Sequence, residues 1–127
     1  MPTLQNLLGS GNSVLTCQAS LGLPKTAQTA AGTGQSDATL IASDFTVFTL
    51  TSGSNYGARL PASSGNVAQI TDNYILVNHT GQIMKVYPPT GGTIATGAAN
   101  AAFSVASTKT AYFLCLGGGN WAASVSA

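Results

Sequence analysis

The side chains able to do acid–base or nucleophilic chemistry are few in this chain of 127 residues, and they lie far apart in sequence. The one histidine, His79, sits in a predicted turn, and Asp37, Asp44 and Asp72 each lie near a predicted turn or strand boundary. In such places an aspartate usually accepts hydrogen bonds from its own backbone. A glycosidase needs two placed carboxylates, and a Ser–His–Asp set can be drawn from any serine-rich chain with one histidine. We therefore predict that the chain is not an enzyme and has no catalytic residue.

The same scarcity of ligands predicts neither a metal site nor a cofactor. One histidine cannot supply the ligand spacing of a metal site. The glycine-rich segments 9–13 and 117–121 lack the strand–loop–helix context and the Lys-Ser/Thr ending of a phosphate-binding loop. Cys17 and Cys115 are the two cysteines. No secretory signal is expected, so two separate buried thiols are favoured, with a disulfide as the alternative.

The charge content of the chain limits the classes of partner. Charged residues make up 6 % of the sequence, glutamate does not occur, and the net charge is +1. Such a balance gives no electrostatic footprint for nucleic acid or anionic lipid. No apolar run reaches the roughly 18 to 20 residues of a membrane-spanning helix. We expect neither a nucleic-acid partner nor a membrane. A neutral surface rich in Ser, Thr and Ala favours a surface that is covered in an assembly.

Short apolar segments with turn residues between them, at a spacing of 8 to 12 residues, predict an all-β protein. We expect a small antiparallel β-sandwich or barrel over residues 14–127, preceded by an extended N-terminal arm at 1–13. Residues 21–38 carry little apolar weight and are expected to form a long loop. The strands are predicted at 13–20, 39–52, 58–61, 67–71, 74–79, 83–88, 93–95, 101–106, 110–116 and after residue 121.

Two of the connections are expected to be hairpins. Gly81 can supply the positive φ of a tight turn between the strands at 74–79 and 83–88. The segment 107–109 would likewise join the strands at 101–106 and 110–116.

Aromatic residues and the single arginine are the candidates for a binding surface. Tyr and Trp are common at subunit interfaces, and they can also line a sugar-binding face. Tyr56 and Tyr87 fall next to predicted turns, so we expect them to be exposed. Arg59 must find a partner or stay in water, and a hydrogen bond to a neighbouring subunit would satisfy it.

The order of several segments between residues 57 and 123 resembles a block common in small virion-associated proteins of tailed bacteriophages and prophages. These segments are ARLP (58–61), VYPPTGGTI (86–94), GAANAAFSVAS (97–107) and KTAYFLCLGGGNWAA (109–123). The resemblance implies a structural protein on the capsid surface of a virion. A capsid decoration (cement) protein fits it best, namely a β-rich homotrimer that clamps neighbouring major capsid proteins and stabilises the head.

By the same resemblance, the N-terminal arm would contact the major capsid protein. The residues assigned to the capsid or subunit interface are Leu4, Leu7, Leu8, Tyr56, Arg59 and Tyr87. The alternative is a tail-fibre or spike module that binds a host surface glycan, which predicts exposed aromatic residues around 54–57 and 87–92.

Overall fold

The computed structural model describes residues 25–62, 68, 70 and 72–127, and these residues form a β protein with two sheets. None of them is helical, so this part of the chain has no helix able to cross a bilayer. The expectation of a mainly β fold is confirmed. The strands are β1 Lys25–Ala30, β2 Thr39–Leu40, β3 Phe45–Thr51, β4 Gly57–Arg59, β5 Asn73–Asn78, β6 Met84–Tyr87, β7 Thr93–Ile94, β8 Phe103–Val105, β9 Thr110–Gly117 and β10 Asn120–Val125.

Consecutive strands alternate between the two sheets from β1 to β9. The six-stranded sheet has the order β1-β3-β5-β9-β10-β7, and the four-stranded sheet has the order β2-β4-β6-β8. Each time the chain returns to a sheet along β1 to β6, the new strand pairs in parallel with the previous strand of that sheet. This part of the chain therefore winds about its core as a β-helix does.

The sheets are mixed, which corrects the expectation of an antiparallel fold. β7 and β10 are also parallel, whereas β5–β9, β9–β10 and β6–β8 are antiparallel. Alternation of apolar and polar residues shows which side chains face the core. It does not show the direction of the neighbouring strand, since both kinds of ladder have the same period of two.

Neither predicted hairpin forms. The strands on the two sides of Gly81, β5 and β6, belong to different sheets, and so do β8 and β9 on the two sides of 107–109. The chain does turn at Gly81, whose φ is 81°. The turn carries it across the core rather than back along the same sheet. In the described part of the chain, the hairpin between consecutive strands is β9–β10, where Gly117, Gly118 and Gly119 all have positive φ.

Two predicted boundaries are also corrected. The expected loop at 21–38 contains β1, which lies at the edge of its sheet among the described strands and whose polar sequence KTAQTA gives almost no hydrophobic signal. The expected single strand at 39–52 is two strands in different sheets, because the chain bends at 43–44. The predictions for 1–13, for 13–20 and for most of 67–71 lie outside the described residues.

Side chains from both sheets form one hydrophobic core. Phe103 on β8 meets Phe113 on β9 edge to face, with ring centroids 5.8 Å apart. Trp121 on β10 is buried and packs in the same manner against Tyr74, at 5.4 Å. Cys115 is a free, buried thiol within this core, as expected, and Cys17 lies outside the described residues.

The buried Asn78 fixes the crossover from β5 to β6. Its Nδ2 donates to the carbonyls of Gln82 at 2.7 Å and Val105 at 2.9 Å. Its Oδ1 accepts from the N–H of Thr80 at 3.1 Å and from the Thr80 hydroxyl at 2.7 Å. The amide is therefore satisfied on both atoms. The Asn-His-Thr sequence at 78–80 matches the pattern of an N-glycosylation acceptor. The Asn78 nitrogen that would carry the sugar instead donates the two hydrogen bonds that stabilise this turn.

Candidate functional site

Three of the residues predicted for an interface meet on the outer face of the four-stranded sheet. Arg59 on β4 and Tyr87 on β6 are register partners. The inner positions of the same strands hold the buried Ala58 and Val86, so the two partners lie on the side away from the core. Tyr56 directly precedes β4. Tyr56 and Tyr87 are both half-buried rather than fully exposed.

One more residue extends this row. Leu40 on β2 is the register partner of Arg59, so Leu40, Arg59 and Tyr87 lie side by side across three strands. The Leu40 side chain is 49 % exposed. Leu40 was missed as a surface residue because 39–52 was interpreted as one strand. The signal in the sequence that could have divided this strand is the Ser43-Asp44 pair, because both residue types are common in turns.

A loop of residues 31–38 lies over this face. Nε2 of Gln35 donates to the carbonyl of Pro88 at 2.7 Å, beyond the end of β6. Nη1 of Arg59 donates to the carbonyl of Gln35 at 3.4 Å. Arg59 therefore has a hydrogen-bond acceptor within its own chain. Its remaining guanidinium N–H groups can donate to a second acceptor.

Gly57 lets this loop approach β4 closely. The Ala31 N–H donates to the carbonyl of Gly57 at 3.0 Å. A Cβ at position 57 would lie 2.9 Å from the carbonyl oxygen of Ala31 and 3.2 Å from the Cβ of Ala38. Any larger residue at this position has to push the loop away from the sheet.

Asp37 holds the tight turn inside the loop. Its carboxylate accepts from the N–H of Thr33 at 3.1 Å, the N–H of Gly34 at 2.9 Å and the Thr33 hydroxyl at 3.2 Å. These bonds, above all the one from the Thr33 backbone, lower the pKa of Asp37 because they favour the charged carboxylate. The Asp37 carboxylate thus stabilises the turn of its own loop.

A first pocket, of about 240 Å³, contains both predicted tyrosines. Tyr56 and Tyr87 line it together with Thr33, Asn55 and Lys85. Two aromatic rings beside hydroxyl, amide and ammonium groups can hold a ligand that is apolar on one face and polar at its edges. We call this the tyrosine pocket.

A second groove, of about 400 Å³, contains Arg59. It is mainly apolar, with Leu40, Leu60, Pro61 and Pro89 among its lining residues. Arginine is among the residue types that most often carry the binding energy of protein interfaces, and Arg59 lies here in apolar surroundings. We call this the leucine groove.

The charges of the described chain are unevenly placed. Arg59 and Lys85 both lie on the outer face of the four-stranded sheet. Asp44 and Asp72 lie at the starts of β3 and β5 in the other sheet.

Burial raises the pKa of Asp44, its own backbone hydrogen bond opposes that shift, and the nearby Asp72 adds to it. Burial also raises the pKa of Tyr74, followed by the effects of Asp72 and Asp44.

Among the described residues, no three His, Cys, Asp or Glu side chains come together in a way that would hold a metal ion. The other predicted interface residues, Leu4, Leu7 and Leu8, lie outside the described part of the chain. Neither a protein-family model nor a curated protein matches this chain.

Proposed function

We propose that this protein is a structural component of a bacteriophage virion, a capsid decoration protein that binds the major capsid protein through the outer face of its four-stranded sheet. The observation that supports this proposal is the row of Leu40, Arg59 and Tyr87, of which Leu40 and Arg59 line the leucine groove. The proposal includes the expected β-sandwich or barrel, the N-terminal arm and the homotrimer.

The chemistry of the row suits attachment to a protein. Tyrosine and arginine are enriched among the residues that carry most of the binding energy in interfaces, and they act from well-packed apolar surroundings. Arg59 retains N–H groups beyond the one bonded to Gln35, so it can donate to a carbonyl or carboxylate of the capsid. A face that is mostly neutral avoids the desolvation of many charges on binding.

Repetition would make a modest contact effective. A homotrimer on a capsid lattice engages several capsid subunits at once, so each further contact forms at high effective concentration. Leu4, Leu7 and Leu8 of the N-terminal arm would add apolar contacts of their own. The combined effect is to staple neighbouring capsid subunits together.

The proposal is tested by mixing purified protein with capsids that lack it, pelleting the particles and counting the bound copies. We expect saturable binding at a fixed ratio to capsid subunits. Loss of a residue that carries much of the binding energy costs roughly 2 kcal/mol, so Arg59→Ala should weaken attachment about thirtyfold. The matched control is Lys25→Ala, which removes a cation from β1 in the other sheet. Equal binding by Arg59→Ala and Lys25→Ala would contradict the proposal.

A second candidate is a tail-fibre or spike module that binds a host surface glycan. The observation that favours it is the tyrosine pocket, where Tyr56 and Tyr87 line one cavity with Asn55 and Lys85. Sugar rings pack their C–H groups on aromatic faces while their hydroxyls take hydrogen bonds from neighbouring polar groups. This candidate predicts binding to host cells that is lost in Tyr56→Ala and kept in Leu40→Asp. A decoration protein predicts binding to capsids that is lost in Leu40→Asp and reduced less in Tyr56→Ala.

A further inference from the structure

The outer face of the four-stranded sheet carries two cations on its two central strands. Arg59 lies on β4 and Lys85 lies on β6, and the strand order β2-β4-β6-β8 places neither strand at an edge. The neighbouring positions Ala58 and Val86 are buried, so both cationic side chains point away from the core. The whole chain has four Lys and Arg residues. Half of its basic side chains therefore lie in the middle of one face.

The strand register brings these two charges close together. Arg59 pairs with Tyr87 on β6, and Lys85 lies two residues before Tyr87 on the same strand. Strands are about 4.8 Å apart and two residues span about 6.6 Å, so the Cα atoms of Arg59 and Lys85 are about 8 Å apart. Both side chains are long, and a group placed between them would meet two positive charges.

The carboxylates of the chain do not neutralise these cations. The sequence has three aspartates and no glutamate, and two of the aspartates lie at the starts of β3 and β5 in the other sheet. The third, Asp37, accepts hydrogen bonds within its own turn. Arg59 donates to the neutral carbonyl of Gln35. Within the described part of the chain, neither Arg59 nor Lys85 forms an ion pair.

A partner that covers this face removes both cations from water. A stable interface covers about 800 Å² of each partner, which is a patch roughly 28 Å across. A partner seated on the row of Leu40, Arg59 and Tyr87 therefore also covers Lys85, which lies about 7 Å further along β6. Burial of a charge without an opposite charge is strongly unfavourable, so buried charges in proteins are paired. The partner has to supply the missing negative charge.

We infer that the surface of the major capsid protein that meets this face presents carboxylates, at least one of them between Arg59 and Lys85. This inference rests on the proposed function and deepens it by naming the chemistry of the partner surface. The guanidinium of Arg59 suits a bidentate pair with a carboxylate, and the ammonium of Lys85 acts as a point charge beside it. Lys85 thereby determines specificity, because it disfavours a neutral or basic partner at the same place.

Reversal of the charge at Lys85 tests the sign of the partner surface. Full-length wild type and Lys85→Glu are pelleted with capsids that lack the protein, at about 0.05 M and about 0.5 M NaCl, because salt screens charges that are not fully buried. We expect the higher salt to weaken wild-type binding at least tenfold. Lys85→Glu should bind at least tenfold more weakly than the wild type at the lower salt. The matched control is Lys25→Glu, the same reversal on β1 in the other sheet, which should bind as the wild type does.

Lys85 is exposed, so its variants should fold, and circular dichroism checks this. Capsid binding by Lys85→Glu that is as tight as that of the wild type, or tighter, would overturn the inference and leave the attachment itself standing. Wild-type binding that does not depend on salt would do the same. A wild type that does not bind capsids at either salt concentration would overturn both. Host-cell binding that is lost in Lys85→Glu would then assign the two cations to an acidic glycan.

Discussion

Arg59 and Tyr87 lie side by side on the parallel strands β4 and β6, although 27 residues lie between them in the chain. The Leu60 N–H donates to the carbonyl of Tyr87 at 2.9 Å, which continues the ladder beyond the end of β4. The pairing places both side chains on one outer face, with the tyrosine pocket and the leucine groove beside them.

Replacement of Gly57 by alanine should destabilise the protein. The new Cβ would meet the carbonyl oxygen of Ala31 at 2.9 Å, so the 31–38 loop has to move away from β4. Overpacking of this kind costs about 1 to 3 kcal/mol in the free energy of unfolding. Urea denaturation measures it. Gly34→Ala is the control, since a Cβ there meets no atom within 4 Å. Equal stability of the two variants would show that the loop does not rest on the strand as described.

Replacement of Asn78 by aspartate should cost about 3 kcal/mol or more at neutral pH. The carboxylate would face the carbonyls of Gln82 and Val105, which the asparagine Nδ2 now satisfies. Burial raises the pKa of the new carboxyl above its unfolded value, so the deficit should shrink as the pH falls through that folded pKa. Thermal melts at several pH values measure this. Asn120→Asp is the control, because Asn120 is exposed and its Oδ1 only accepts from the Thr93 hydroxyl.

Replacement of Asp44 by asparagine should stabilise the protein at neutral pH. The folded pKa of Asp44 is raised, so its charged form opposes folding above that pKa, and the penalty disappears as the pH falls toward 3.8. The increase in the free energy of unfolding caused by Asp44→Asn should therefore be largest at neutral pH and should vanish as the pH falls toward 3.8. Denaturation curves of the variant and the wild type between neutral and acidic pH measure it.

Asp37 provides the contrast, since its folded pKa is lowered. The stability that Asp37 contributes is present above 3.8 and is lost as the pH falls through the folded value. Asp37→Ala should therefore be destabilising at neutral pH and converge on the wild type in strong acid. If both aspartate variants changed stability in the same direction at neutral pH, the assigned surroundings of the two carboxylates would be wrong.

The sequence was sufficient to locate most of the strands in the described part of the chain. The short apolar runs placed β5, β6, β8 and β9 within two residues of their observed bounds, and buried and more exposed positions alternate most clearly in β6 and β9. β1 was missed because an exposed edge strand needs no apolar side chains. Its backbone pairs with β3 whatever its side chains are.

The pairing of the strands could not be predicted from the sequence. That pairing determines which residues come together at the site. A hairpin at Gly81 would have placed Tyr87 next to the strand of Tyr74. In the structure, the turn crosses the core, and Tyr87 pairs with Arg59 instead. A glycine with positive φ permits a reversal but does not determine which sheet receives the next strand. The residue types at the site were therefore predictable, whereas their assembly into one face was not.

The most direct test of the proposed attachment compares the two sides of the 31–38 loop. Leu40→Asp changes the leucine groove and Tyr56→Ala changes the tyrosine pocket, and bound copies are counted on capsids that lack the protein and on host cells. We predict saturable binding of the wild type to capsids, its loss in Leu40→Asp and a smaller loss in Tyr56→Ala. Absence of capsid binding by the wild type, together with host-cell binding that is lost in Tyr56→Ala, would contradict the decoration function and support a glycan-binding module.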